Sequence, residues 1–316
     1  MKSFTRHPAF HLLLLVLTGA SIFTTFLVAW GGGVAGDLED RLWGSALFTC
    51  GTLLILGAHE LGHFFMARAH GVDASLPYFL PVPFGFGTLG AVIRLKGAVP
   101  TRNALVDIGA AGPLAGLLIA VPLLVVGVAL SPVVDVPTGP AYALPRTSLW
   151  HLAELAGLWA RELLRGIPAP VEASEAMLFG DNLLLWLLSR VIHGALPPGR
   201  ELAAHPVLLA GWFGTLVTML NLLPVGQLDG GHLTHAWFGA RAVRLGRVLA
   251  GALLPLALFA SASWLVWFFL AARVVGFEHP PVTDDAEPLS RGRRVVCVLC
   301  LVALALTFMP VPMDTA

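Results

Sequence analysis

Long apolar runs alternate with short polar connections along the whole chain. Five runs, at about residues 10–30, 43–66, 104–130, 207–225 and 248–272, are long enough to cross a bilayer as helices. A sixth, Val295–Met309, is short for a crossing. The pattern predicts an all-α polytopic membrane protein, a bundle of about six transmembrane helices. The stretch 178–196 is interrupted by Asp181, Asn182 and Arg190, and reads as interfacial or re-entrant. After the second run the period changes. Tyr78-Phe79-Leu80-Pro81-Val82-Pro83-Phe84 is punctuated by proline, and Gly87 to Leu95 reads as a strand, so a short membrane-associated β-hairpin is expected there. A strand at that depth needs partners for its backbone.

The runs divide a single unit spanning residues 1–316 into an anchor helix at 10–30, a section at 43–130, an insertion at 131–205, a later helix region at 206–240 and C-terminal helices at 248–310. Lys2 and Arg6 precede the first run, Arg68, Arg94, Lys96 and Arg102 follow the second, and Arg241, Arg244 and Arg247 follow the fourth. Alternating crossings put these groups on one face, the cytoplasmic one by the positive-inside rule, and the insertion on the other. Arg291, Arg293 and Arg294 do not fit this scheme if the last run crosses, which leaves the C-terminal topology open. The first run lacks a small-residue cleavage site and reads as a retained anchor, with a bacterial inner membrane as the expected location.

Composition agrees with the pattern. Hydrophobic residues make up 57% of the chain, charged residues only 12%, and mean hydropathy is +0.81; soluble domains carry about 25% charged residues. The formal net charge of zero offers no general attraction for nucleic acid. Three cysteines, Cys50, Cys297 and Cys300, give no disulfide framework. The last two form a CxxC without a second ligand pair, so they read as small buried apolar side chains.

One run carries chemistry. His59-Glu60-Leu61-Gly62-His63 sets two imidazoles four residues apart, on one helix face, where both can reach a single ion. Glu60 lies between them at a depth where a carboxylate costs about 2.5–3.5 kcal/mol, so a passive role is a poor explanation for it. A catalytic metal needs a third protein ligand and an open position. Asp229 is the best candidate, because Pro224-Val-Gly-Gln-Leu-Asp229-Gly230-Gly231 is rich in helix-breaking residues that let a carboxylate leave the helical path. His232 and His235 lie close by. Asp107 reads as a cap or polar contact, His70 as interfacial, and Asp181 belongs to the opposite face.

His59-Glu60-Leu61-Gly62-His63 together with Asn221, Pro224 and Leu228-Asp229-Gly230 resembles the site-2 protease family of intramembrane zinc metalloproteases. Gly112-Pro113-Leu114-Ala115-Gly116 and the 85–95 strand resemble the branch of that family that lacks a PDZ domain, bacterial and plastid. The resemblance covers about residues 43–240. It implies one zinc ion held by His59, His63 and Asp229, with Glu60 as the catalytic carboxylate and Asn221 holding the substrate backbone or the oxyanion. It implies peptide-bond hydrolysis within transmembrane segments of single-pass proteins in the lipid bilayer, with a possible regulatory membrane partner. The strand would then be an edge for an unwound substrate segment. The alternative is a zinc or divalent-metal transporter, but no chain of His or carboxylates continues across the membrane, as a transport path requires.

Overall fold

The computed structural model describes residues 7–31, 36–135, 147–154, 156–157, 177–197, 199–280, 282–284 and 287–315. Helix α1 (Pro8–Ala29) starts where the chemistry favours a start, with Pro8 in the first turn and the His7 ring accepting from the Ala9 amide. Helix α2 (Leu38–Ala69) is capped by Asp37, with Glu39 and Asp40 in its first turn and Arg68 in its last, each sign matched to the helix dipole. At about 1.5 Å per residue its 32 residues outreach a bilayer core. The chain then turns through Gly71, at φ +71°, where a β-carbon would be strained.

Two small antiparallel sheets follow. Strand β1 (Asp73–Ala74) pairs with β4 (Leu95–Lys96), and β2 (Tyr78–Pro81) pairs with β3 (Thr88–Val92) in the register Tyr78 to Val92, Phe79 to Ala91 and Pro81 to Thr88. The register slips between Phe79 and Pro81, and the Thr88 hydroxyl donates to the Leu80 carbonyl beside that slip. The single strand expected over 87–95 is therefore two strands, broken at Ile93-Arg94 as the chain passes from one partner to the other.

Helix α3 (Arg102–Leu130), capped by the Thr101 hydroxyl, runs back beside α2. Beyond it, β5 (Val133–Asp135) pairs with β7 (Arg200–Leu202), and between them lie β6 (Met177–Phe179) and α4 (Leu183–His193), whose cap Asn182 also donates to Thr215. Helices α5 (Pro206–Leu222), α6 (Asp229–Phe238), α7 (Arg241–Phe259), α8 (Ser263–Leu270) with a π-helical turn at Ala271–Val275, and α9 (Arg291–Thr307) complete the bundle; β8 (Met313–Thr315) returns to pair with β6.

The run expected as one helix over 248–272 is two. The chain breaks at Ala260–Ala262, where the Ser261 hydroxyl bonds to that of Ser263 and the Ala262 amide donates to Thr147. By length and composition four helices, α1, α2, α3 and α7, can cross a membrane; α4, α5 and the 263–275 stretch are apolar but shorter. The main core joins Leu56, Leu124, Val128, Trp212, Met219, Trp264 and Met309. Both indoles satisfy their N–H groups, Trp212 on the Gly180 carbonyl and Trp264 on that of Pro310. Cys297 and Cys300 are free and buried in a second apolar cluster with Leu105 and Val282, as the composition suggested.

Candidate active site

His59 lies ten residues before the C-terminal residue of α2, about 15 Å along the axis, so the HExxH turn sits inside the bundle. The i, i+4 spacing brings the two Nε2 atoms to 3.2 Å of each other. Asp229, the first residue of α6, completes a triangle: one carboxylate oxygen is 3.3 Å from His59 Nε2 and the other 3.3 Å from His63 Nε2. It gets there because α5 ends at Leu222 and Pro224 forbids continuation, while Gly226 turns at φ +52° against the Gly276 carbonyl. Helix α6 then restarts with the carboxylate facing α2.

The three donors could hold one divalent ion. Bonds of about 2.0–2.2 Å in a tetrahedron place ligand atoms about 3.3–3.5 Å apart, close to the three edges found. The contacts behind the ligand atoms agree. His63 Nδ1 lies 2.7 Å from the Ile108 carbonyl, an arrangement in which Nδ1–H donates and Nε2 keeps its lone pair for the triangle. Helix α3 must pass very close for this, and it does so at glycine: a β-carbon on Gly112 would collide with the His63 ring, and one on Gly116 would touch His59. Among the described residues this is the only group of three or more such side chains with ligand atoms mutually within reach of one ion.

Glu60, buried beside the triangle, faces the strand segment, with the main chain of Ile93 near its carboxylate. The Asn221 amide nitrogen, in the last turn of α5, lies 3.4 Å from His59 Nε2. All five residues singled out in the sequence therefore meet in one place.

The other candidates are placed elsewhere. His232 does not join the triangle; its Nδ1 is 2.5 Å from His279 Nε2, and His235 stacks on the His279 ring. Burial, and next the neighbouring His232, push the His279 imidazole down to about 4. His279 was missed because it stands alone in a polar connection, 47 residues from its partner. Asp107 binds Arg293 through both carboxylate oxygens, at 3.1 and 2.8 Å, and His70 at 3.0 Å. Asp181 lies at the start of α4, on the far side of the bundle.

Comparison with known proteins adds a family. The model of peptidase family M50 matches residues 47–260. The chain is 34% identical over 272 residues to a probable zinc metalloprotease, EGY1, chloroplastic, of Arabidopsis thaliana, an alignment covering 83% of this chain and 42% of that protein. It is 30% identical to the similarly named EGY1 protein of Oryza sativa subsp. japonica (82% and 40% covered) and 29% identical to EGY2 of Arabidopsis thaliana (86% and 43%). The chain thus spans less than half the length of these relatives. No solved structure matches it.

Proposed function

The chain belongs to peptidase family M50, and from that premise we propose that it is an intramembrane zinc metalloendopeptidase, cutting peptide bonds in transmembrane segments of membrane-protein substrates. The observation that carries this reading is the His59–His63–Asp229 triangle, with Glu60 beside it on an apolar helix.

In this proposal His59, His63 and Asp229 hold the zinc that the relatives' names specify. Zinc, when bound, supplies Lewis acidity, polarising a carbonyl and acidifying water. Glu60 takes the proton from the attacking water and delivers it to the leaving amine. The Asn221 amide donates to the oxyanion as the carbonyl carbon becomes tetrahedral. The Ile108 carbonyl keeps the His63 ring in place throughout.

Substrate presentation follows from β3. A transmembrane helix hides its amides in i to i−4 bonds and must unwind first. One side of β3 pairs with β2, and the chain leaves β3 directly onto Ile93, at Glu60. Among the described residues no strand occupies the other side of β3. A single-pass substrate, unwound and added there as a strand, brings its backbone to the carboxylate. A regulatory membrane partner remains compatible with this arrangement.

We further infer seven traverses rather than six, with 263–275 a return segment. Residues 276–290 then rejoin the end of the bundle that holds Arg68, through Phe277 near Arg247, Thr283 on Val99 and Ser290 on Asn103. On this path Arg291, Arg293 and Arg294 join the other basic groups on one face, and the exception met in the sequence disappears. The protein is one of a membrane. The relatives named chloroplastic give no support to the bacterial inner membrane expected from the sequence.

The decisive experiment compares zinc content and cleavage of a model transmembrane substrate. Glu60→Gln should retain zinc and lose cleavage, and Asp229→Ala should lose both. Metal flux into liposomes that survives Glu60→Gln would overturn the peptidase reading in favour of a transporter.

A further inference from the structure

A cavity of about 680 Å³, lined by none of the candidate active-site residues, lies between the first turns of α1, the last turns of α2 and the β1–β4 pair. Three cations line it: Arg68 from the end of α2, and Arg94 and Lys96 from the segment around β4. Asp73 is its one acidic lining residue. That carboxylate is shared, 2.9 Å from Lys96 Nζ and 3.5 Å from Arg68 Nη1. The Lys96 ammonium holds it below the usual carboxylate range, so it stays ionised. Two positive charges remain uncompensated, and the Arg94 guanidinium has no hydrogen-bond or ion-pair partner among the described residues.

The uncharged part of the lining mixes apolar and aromatic side chains, Phe64, Leu76 and Tyr78, with the polar His11 and Ser75. On the same two helices, Leu12 and Phe65 present exposed side chains, 61% and 64% accessible. They are neighbours in sequence of the lining residues His11 and Phe64. A cationic cavity at the polar end of two membrane helices that carry exposed apolar side chains, with Phe65 one turn before the lining Arg68, fits an amphiphile with an anionic head. Arg supplies the forked donors that match a phosphate.

We propose that this cavity binds the phosphate headgroup of an anionic phospholipid, its acyl chains lying on the Leu12 and Phe65 surface. The proposal goes beyond the peptidase reading and does not depend on it. It asks only that α1 and α2 lie in a bilayer. A soluble phosphate would satisfy the cations but leave the apolar border without a role.

The test titrates purified full-length protein, in a zwitterionic detergent, with short-chain phosphatidylglycerol, phosphatidylcholine or inorganic phosphate, and reads occupancy by native mass spectrometry and thermal shift. Phosphatidylglycerol should bind in preference to the other two. Arg94→Gln, which breaks no internal contact, should weaken it about fivefold, and Asp73→Asn, which frees Arg68 and Lys96, should strengthen it by a similar factor. Phosphatidylcholine binding should be the same in all three proteins. Opposite shifts from two substitutions separate a binding effect from a folding defect. Equal affinity for the two lipids, or an Arg94→Gln protein that binds as the wild type does, would overturn the proposal. So would competition by inorganic phosphate at concentrations matching the lipid. Zinc content should not change in Arg94→Gln, and lipid binding is read without substrate, so the outcome is separate from that of the peptidase experiment.

Discussion

Both nitrogens of the His63 ring are engaged, Nδ1 by the Ile108 carbonyl and Nε2 by Asp229, and Gly112 leaves the space in which the ring sits. Gly112→Ala should therefore displace His63 and lower zinc content, measured by metal analysis, even though it adds a single methyl to a helix that favours alanine over glycine by about 1 kcal/mol. The steric cost outweighs the propensity gain because a helix backbone and a ligand ring cannot both yield. Asn221→Ala should keep zinc and lower kcat by about 10²–10³, the loss typical of one oxyanion donor, while an effect on KM alone would assign Asn221 to ground-state binding. At this scale the sequence was informative where chemistry is written in side-chain spacing. His59 and His63 are visible by period and Asp229 by the breakers around it. The Ile108 carbonyl is a backbone group with no sequence signature, and His279 is isolated in the chain, so neither could be read beforehand.

Elements place these groups, and their ends matter most. Helix α5 starts at His205, whose ring Nδ1 accepts from the Val207 amide at 3.2 Å. Only a ring with an unprotonated Nδ1 can accept, and burial holds the His205 imidazole below its ordinary value. A depressed histidine pKa contributes stability that is complete above the unfolded value of about 6.5, and is lost as pH falls through the folded value. Thermal stability should thus decline as the medium is acidified from pH 7.5, and His205→Asn, which caps at any pH, should reduce that slope. The strand β3 carries the second expectation at this scale. Replacing helix-weakening residues of a substrate segment by leucine should slow its cleavage, and an unstructured peptide of the same sequence should show no such loss; equal rates for both substrates would refute unwinding. The long helices α1, α2 and α3 were legible within a few residues, since apolar length and caps both mark them. The break at Ala260–Ala262 was not. It lies in a run where only two small serines, Ser261 and Ser263, interrupt the apolar residues at that point, and its Ala262 amide bonds to Thr147, far away in the chain.

For the whole molecule, the path of the C-terminal third decides how charge is distributed across the membrane. Arg293 grips Asp107 at the start of α3, while the other end of α9 is tied to Trp264 through Pro310, and β8 pairs with β6 in the insertion. These ties hold opposite ends of α9 at opposite ends of the bundle. They also bear on why the sequence left the topology open: hydropathy saw one run where the structure has two helices, and counting both as passes, as proposed, moves Arg291, Arg293 and Arg294 to the face of the other basic groups. A protein with Cys50→Ser, retaining the buried Cys297 and Cys300, offers a direct check. Gly292→Cys and Thr315→Cys, made singly in that background, should react with an impermeant thiol reagent from opposite sides of sealed vesicles, Gly292→Cys from the side that also exposes the Arg68 end of α2. Labelling of both from one side would mean that α9 does not cross. The positive-inside accounting would then fail at the very residues that gave rise to it, and the return through 263–275 would have to be abandoned.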